Sequence, residues 1–206
     1  MSHHHHHPKH RFDPAKAERL LDPRRRMVED PAALVAEMGV ETGMQIADLG
    51  AGAGFFTKGL LQAVGETGHV AAIELQPQVL ELFNKHVGTH ANLESHEADL
   101  SQTPLQDGRW DAAFIAFTLH EVVVADALRE IARILKPGGQ LMALEWGAYE
   151  PCPDRPDGKK AGPPADHRLM PQTLTKQLDE AGFSVSRQGE RLGGCQYWIC
   201  ATKAAS

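Results

Sequence analysis

Residues 46–56 read IADLGAGAGFF, and three glycines, Gly50, Gly52 and Gly54, fall at alternate positions behind a short apolar run. Such a run ends a buried strand, and Phe55 to Val64 behind it carries helical spacing. Glycine admits left-handed backbone and lets the chain approach another group closely. The segment must therefore run strand, bare loop, helix, and the remaining sequence has to build around that unit.

The alternation continues on both sides. Strands are expected at 44–50, 69–75, 92–98, 110–117 and 139–146, with helices at 55–64, 77–86 and 123–136, the last ended by Pro137-Gly138-Gly139. Upstream, Asp30-Pro31 is a capped helix start and 32–38 a turn or two stopped near Gly39, while 13–28 is helix-prone but cut by Pro14 and Pro23. Strands separated by helices make βαβ units, hence an α/β, doubly wound, mostly parallel sheet with helices on both faces. Such sheets bind ligands beyond the carboxyl ends of their strands, where strand order reverses. Residues 149–168 are rich in Pro and Gly and read as a long loop, of the kind that is functional or disordered. A helix at 171–181 follows, then runs at 183–192 and 195–203 separated by Gly193-Gly194, an antiparallel hairpin closing the sheet. The expected organisation is an arm over 1–30 and one domain over 31–206.

Charge and composition narrow the partners. The formal net charge is −6 over 206 residues, with no sustained basic stripe, so nucleic acid is not expected as a partner. Arg24-Arg25-Arg26 is short and reads as a solvated helix face. No apolar run approaches the roughly 20 residues that span a bilayer. The opening MSHHHHHPKHRF has no apolar stretch and is not a secretory signal. Its histidines read as a tag or disordered arm, able to bind transition metals whatever their origin; no metal is expected in the site itself. Three cysteines, Cys152, Cys195 and Cys200, lack a CxxC spacing and suit a reducing cytoplasm.

The glycine loop does not fit a dinucleotide. The G-x-G-x-x-G fingerprint needs a third glycine at 55, where Phe55 stands. The spacing G-x-G-x-G led by Asp48 suits a ligand without a pyrophosphate, whose cationic amino group Asp48 can accept. Glu74, at the end of the second strand, can take both hydroxyls of a ribose. Asp99, past the third strand, can take the exocyclic amine of adenine, with Leu100 against the ring. Singly these acids read as a turn-former, a strand-end charge and a cap. Together, with Leu75 and Phe117 completing the wall, they describe S-adenosylmethionine (SAM).

The chain also resembles the class I SAM-dependent methyltransferases. ADLGAGAGFFT is similar to their first motif, AAIELQPQVL to the second and HEADL to the third; WDAAFIAFTLHEV and LKPGGQLMALEW resemble their fourth and fifth strand segments. The resemblance spans about 31–203 and is closest to a small bacterial ubiquinone/menaquinone-biosynthesis-like group. HRFDPAKAERLLDPRRR and GPPADHR look like segments of its compact members. It implies a seven-stranded sheet of order 3-2-1-4-5-7-6 with strand 7 antiparallel. Arsenite methyltransferases, a related branch, hold the metalloid with a set of cysteines. Cys195 and Cys200, placed in one strand-like run, face opposite sides of it, and all three cysteines read as small buried hydrophobes.

Methyl transfer from a sulfonium to a small-molecule acceptor needs alignment, and a base only where the acceptor loses a proton. His120, after the fourth strand and beside Glu121, is the first candidate base; a histidine satisfied at a helix start is the plain alternative. Tyr149 and Trp146 can wall an apolar acceptor, or pack. His167 is a further candidate, and Arg168 can hold an anion or sit as a solvated loop charge. Phe12 is a candidate lid. Two other functions fit the same loop: a nicotinamide-dependent oxidoreductase, disfavoured by Phe55, and a non-catalytic SAM-binding module.

Overall fold

The structure, a computed structural model, describes residues 13–22, 30–155 and 158–204. Phe12, the histidine run and Arg24-Arg25-Arg26 lie outside the described residues. A 3₁₀ helix at Pro14–Leu21 replaces the broken helix expected there. The elements that follow are α1 (Pro31–Glu37), β1 (Gln45–Leu49), α2 (Phe55–Val64), β2 (His69–Glu74), α3 (Pro77–Val87), β3 (Leu93–Glu97), β4 (Trp110–Ala116), α4 (Val124–Ile134), β5 (Leu135–Trp146), α5 (Pro171–Glu180), β6 (Phe183–Arg191) and β7 (Gln196–Lys203).

The seven strands form one sheet in the order β3-β2-β1-β4-β5-β7-β6. β1 to β5 are parallel, and β7 runs antiparallel to both β5 and β6. Strands buried on both faces read as near-continuous apolar runs, and their period of two sends alternate residues to opposite cores. Ile46, Ala112, Phe114, Met142, Leu144 and Trp198 enter the core under α1, α2 and α3. Ala47, Leu49, Ala113, Ile115, Leu141, Ala143 and Ile199 enter the core under α4 and α5. α4 meets that core with Ala127, Leu128, Ile131 and Ile134, the spacing of one helix face. α1 starts as expected: Asp30 Oδ1 accepts from the amides of Ala32 and Ala33 at 3.1 and 3.3 Å, and Pro31 opens the helix.

One boundary moves. α4 stops at Ile134, and β5 begins at Leu135 rather than at 139. Leu135 pairs with Trp110, the ladder then shifts register, and Gln140 pairs with Ala112. Lys136-Pro137-Gly138-Gly139 is thus an irregularity inside the strand. Pro137 has no amide to give the helix, and Gly138 turns at φ 74°.

The cysteines depart from expectation. Cys152 and Cys195, 43 positions apart in sequence, form a disulfide with Cα atoms 4.7 Å apart. Cys195 precedes β7, at the end of the 3₁₀ turn Leu192–Gly194, so it does not share a strand with Cys200. The loop after β5 doubles back along the hairpin: the amides of Gly147 and Ala148 donate to the carbonyls of Cys195 and Gly194, both at 2.8 Å. That return sets Cys152 on Cys195, and no spacing in the sequence reveals it. Only Cys200 is the small buried hydrophobe expected; burial pushes its thiol up to about 11.

Cross-linking a loop of this length stabilises by about 2–4 kcal/mol, chiefly through the unfolded chain. Dithiothreitol should lower the calorimetric melting temperature of the native protein and leave that of Cys152→Ser unchanged. A wild-type melt indifferent to reductant would mean that the bond does not form in solution.

Candidate functional site

At the carboxyl ends of β1, β2 and β4 lies a cavity lined by Asp48, Gly50, Gly52, Glu74, Leu75, Asp99, Leu100 and Phe117. Gly54 is the one expected cofactor residue that does not line it. The reading from spacing gave all three glycines one task; the structure gives them different surroundings. All three turn through left-handed backbone, with φ of 73°, 56° and 83°. A Cβ on Gly54 would lie 2.1 Å from Val87 Cγ2 and 3.0 Å from the Phe83 ring, so this glycine lets α2 meet α3. A Cβ on Gly50 would strike Thr118 at 2.7 Å. Among the described residues only Leu20 Cδ1, at 3.4 Å, stands near a Cβ on Gly52, and Leu20 brings the N-terminal 3₁₀ helix to the cavity wall.

Glu74 is more than a strand-end charge. Its Oε2 accepts from the Gly52 amide at 3.0 Å and its Oε1 from the Gln76 amide at 2.9 Å. It therefore ties the glycine loop to β2 while both oxygens keep further acceptor capacity. Burial raises its pKa against the lowering effect of those amides. Asp48 is 2% exposed, and its Oδ2 accepts from Thr57 Oγ1 at 2.6 Å. Burial pushes its pKa up to about 7, with the Thr57 hydrogen bond opposing and the charge of Glu74 adding. Thr57 went unread in the sequence; a lone hydroxyl on the buried face of α2 was the available signal. Asp99 is exposed, and its Oδ1 accepts from both the amide and hydroxyl of Ser101, at 2.8 and 2.7 Å.

Among the described lining residues Asp48, Glu74, Asp99 and Glu121 are acidic and none is basic. Leu75, Val79, Leu100 and Phe117 supply apolar surface. The donor set fits a cationic, hydroxyl-bearing ligand with an apolar ring, as SAM is. A pyrophosphate would meet carboxylates and no neutralising side chain. Phe117 holds φ 55°, a left-handed angle rare outside glycine, and its ring packs 4.6 Å from that of Trp146. Backbone strain of this kind persists where surrounding structure enforces it, here through the 2.7 Å bond from its amide to Leu144 O.

The three candidate catalytic residues do not meet in the cavity. His120 sits in the 3₁₀ turn Leu119–Glu121; its neighbours Thr118, Glu121 and Val122 reach the cavity wall, and His120 turns to Glu145 on β5. His167 ends the turn Ala165–His167, 3.8 Å from Asp166 Oδ2. Tyr149 lies under Arg168, whose Cζ is 5.0 Å from the ring centroid.

Arg168 is neither an anion clamp nor a solvated charge. Only 9% exposed, it donates to the carbonyls of Ala161 at 2.7 Å, Pro163 at 3.0 Å, Ala148 at 3.0 Å and Gly147 at 3.1 Å. It also packs on Trp146, 5.6 Å from that ring. Its guanidinium is spent on the backbone of the long loop, and burial lowers its pKa.

Residues 47–143 match the methyltransferase domain family. The chain is 37% identical over 112 residues to the ubiquinone/menaquinone biosynthesis C-methyltransferase UbiE of Pseudomonas fluorescens, a match covering 52% of this chain and 44% of that protein. It is 34% identical over 113 residues to the demethylmenaquinone methyltransferase of Staphylococcus aureus, covering 54% and 47%. The matches thus span about half the length of these relatives. A solved structure, a SAM-dependent methyltransferase from Aquifex aeolicus, superposes with a TM-score of 0.82 at 31% identity and covers 93% of this chain and 99% of its own. Likeness in fold and sequence over nearly the whole of both chains makes this protein a member of the SAM-dependent methyltransferase family.

Proposed function

We propose that the protein transfers a methyl group from SAM to a small-molecule acceptor by in-line displacement. One observation carries the reading: a cavity at the switch between β1 and β4 lined by four acids and bare glycine backbone, with no basic side chain among the described lining residues. In this reading Asp48 takes the ammonium group, Glu74 the ribose hydroxyls, and Asp99 with Leu100 the adenine. Gly50 and Gly52 let the backbone approach, and Leu75 and Phe117 close the apolar wall. SAM supplies a methyl already activated by positive sulfur. The chain supplies alignment, which is worth roughly 7–11 kcal/mol when reacting groups are held in line. His120 is the proposed base, with Tyr149 and His167 as outer candidates on the acceptor side.

Similarity to ubiquinone/menaquinone biosynthesis and demethylmenaquinone methyltransferases supports a quinone-type ring as acceptor class. We assign residues 31–206 to the catalytic domain, and to 1–30 an arm whose described part brings Leu20 to the cavity. No helix among the described residues is long and apolar enough to cross a membrane. We propose the cytoplasm as the compartment, where the Cys152–Cys195 bond would be open to reduction.

Calorimetry should show S-adenosylhomocysteine and SAM binding, and NAD binding weakly or not at all. NAD binding as tightly as SAM would overturn the reading. Incubation with labelled SAM and 1,4-naphthoquinol should label the ring; cofactor binding with no label passed to any acceptor in a cell extract would favour the non-catalytic module.

SAM affinity should rise with pH up to about 7 and level off above it. Below that pH Asp48 is protonated in the free protein, and a cationic ligand must displace the proton to gain the charge pair. Asp48→Asn should bind more weakly and lose the pH dependence. A flat wild-type profile between pH 6 and 8 would take Asp48 out of the ammonium site.

Gly52 and Gly54 should answer differently to the same change. Gly52→Val should fold and lose SAM binding, because its Cβ enters the cavity. Gly54→Val should lose stability as well, by about 1–3 kcal/mol or more, because its side chain overpacks against Val87 and Phe83. Calorimetric melting separates them; equal melting temperatures would contradict the assignment.

A further inference from the structure

Glu145 lies on β5 with none of its surface exposed. A carboxylate so deeply buried needs partners. Its Oε2 receives His120 Nδ1 at 2.8 Å and the Trp146 amide at 3.1 Å; its Oε1 receives the His120 amide at 3.4 Å. The His120 side chain is itself only 8% exposed. With Nδ1 given to Glu145, the opposite ring nitrogen, Nε2, lies 3.7 Å from Glu121 Oε1. Glu121 lines the cavity. A line of three groups thus runs from the sheet interior to the cavity wall.

We propose that Glu145 is the positioning residue for proton removal from the methyl acceptor: it holds His120 in the tautomer with Nδ1–H inward and a basic Nε2 outward, and Glu121 relays the proton from cavity to ring. The proposal rests on the methyltransferase reading above. As the acceptor's X–H bond breaks, its electron pair forms the bond to the methyl carbon, the carbon–sulfur pair leaves with sulfur, and the proton passes through Glu121 to Nε2. The imidazolium so formed lies between two carboxylates.

The groups that set the ring's titration come from three elements. Burial disfavours the imidazolium; the hydrogen bond and charge of Glu145 from β5 favour it, as does Glu121 from its own turn, while Arg168 from the long loop opposes it. The carboxylates prevail, and the ring titrates above its ordinary value. A base of raised pKa is a stronger base, active on the alkaline side of its midpoint. A mere pin between β4 and β5 would need the hydrogen bond but not the charge.

Glu145→Gln separates the two, because it keeps an oxygen for Nδ1–H and removes the charge. The His120 ring is followed by NMR across pH in the full chain without cofactor, its signal assigned by its loss in His120→Gln. The midpoint should lie above the ordinary imidazole value in the wild type and move to lower pH in Glu145→Gln, with affinity for S-adenosylhomocysteine retained in calorimetry. The acid limb of turnover, followed with labelled SAM and 1,4-naphthoquinol, should move with it. An unmoved midpoint overturns the proposal, and so does a limb that stays while the midpoint moves. Should Glu145→Gln fail to fold, Glu121→Gln at the cavity wall should lower turnover by roughly 10²-fold or more and also lower the midpoint; wild-type values for both overturn the relay. Failure of the methyltransferase reading itself shows earlier, as a wild-type protein that does not bind S-adenosylhomocysteine.

Discussion

Negative charge gathered with no basic side chain among the described lining residues dominates the cavity at the carboxyl end of this sheet. Asp48, Glu74, Asp99 and Glu121 line one cavity, and burial holds Asp48 up to about 7 and raises Glu74 as well. The linkage has a definite sign. Because Asp48 titrates higher folded than unfolded, the stability it contributes is complete below the ordinary carboxylate range and is lost as pH rises through about 7. At neutral pH the empty site holds a carboxylate that is either protonated or costly. A bound cation offsets that cost, so the energetics that weaken the empty site strengthen the complex.

The loop between β1 and α2 is shaped by the same acids. Glu74 receives the Gly52 amide, and the Gly50 and Ala51 amides reach Ile73 O at 2.8 and 3.0 Å. The loop is thus bound to β2 before any ligand arrives, and a preformed site loses less entropy on binding. Thr57, one turn into α2, fixes the Asp48 oxygen from the other side.

After β5, a loop rich in Pro and Gly with little secondary structure is held by interactions of other kinds. Arg168 gathers four carbonyls, the Cys152–Cys195 bond fastens the loop to the hairpin, and Gly162 admits the Trp146 ring, 2.6 Å from where its Cβ would stand. This buried guanidinium is stable there because carbonyl dipoles replace its water shell. Trp146 in turn supports Phe117 in its left-handed turn at the cavity wall. The loop thereby connects to the site through packed rings.

The sequence by itself determined the sheet and the acids that line the cavity at its carboxyl edge. Strand and helix periods, Pro and Gly stops and the Asp30 cap are local, and they place the elements to within a few residues. Asp48, Glu74 and Asp99 were legible because a parallel sheet delivers every strand end to one edge, whatever the packing beneath. Tertiary structure alone decided the rest. Gly54 does not line the cavity, and Phe83 and Val87 occupy the space beside it. Arg168 became a loop staple, and Cys152 met Cys195, because a long loop folded back on a hairpin. Glu145 went unread in the sequence, where a charge inside the apolar run LMALEW was the available signal. That its partner is His120 depends on two strand ends lying side by side, a contact between residues 25 positions apart that no local pattern encodes.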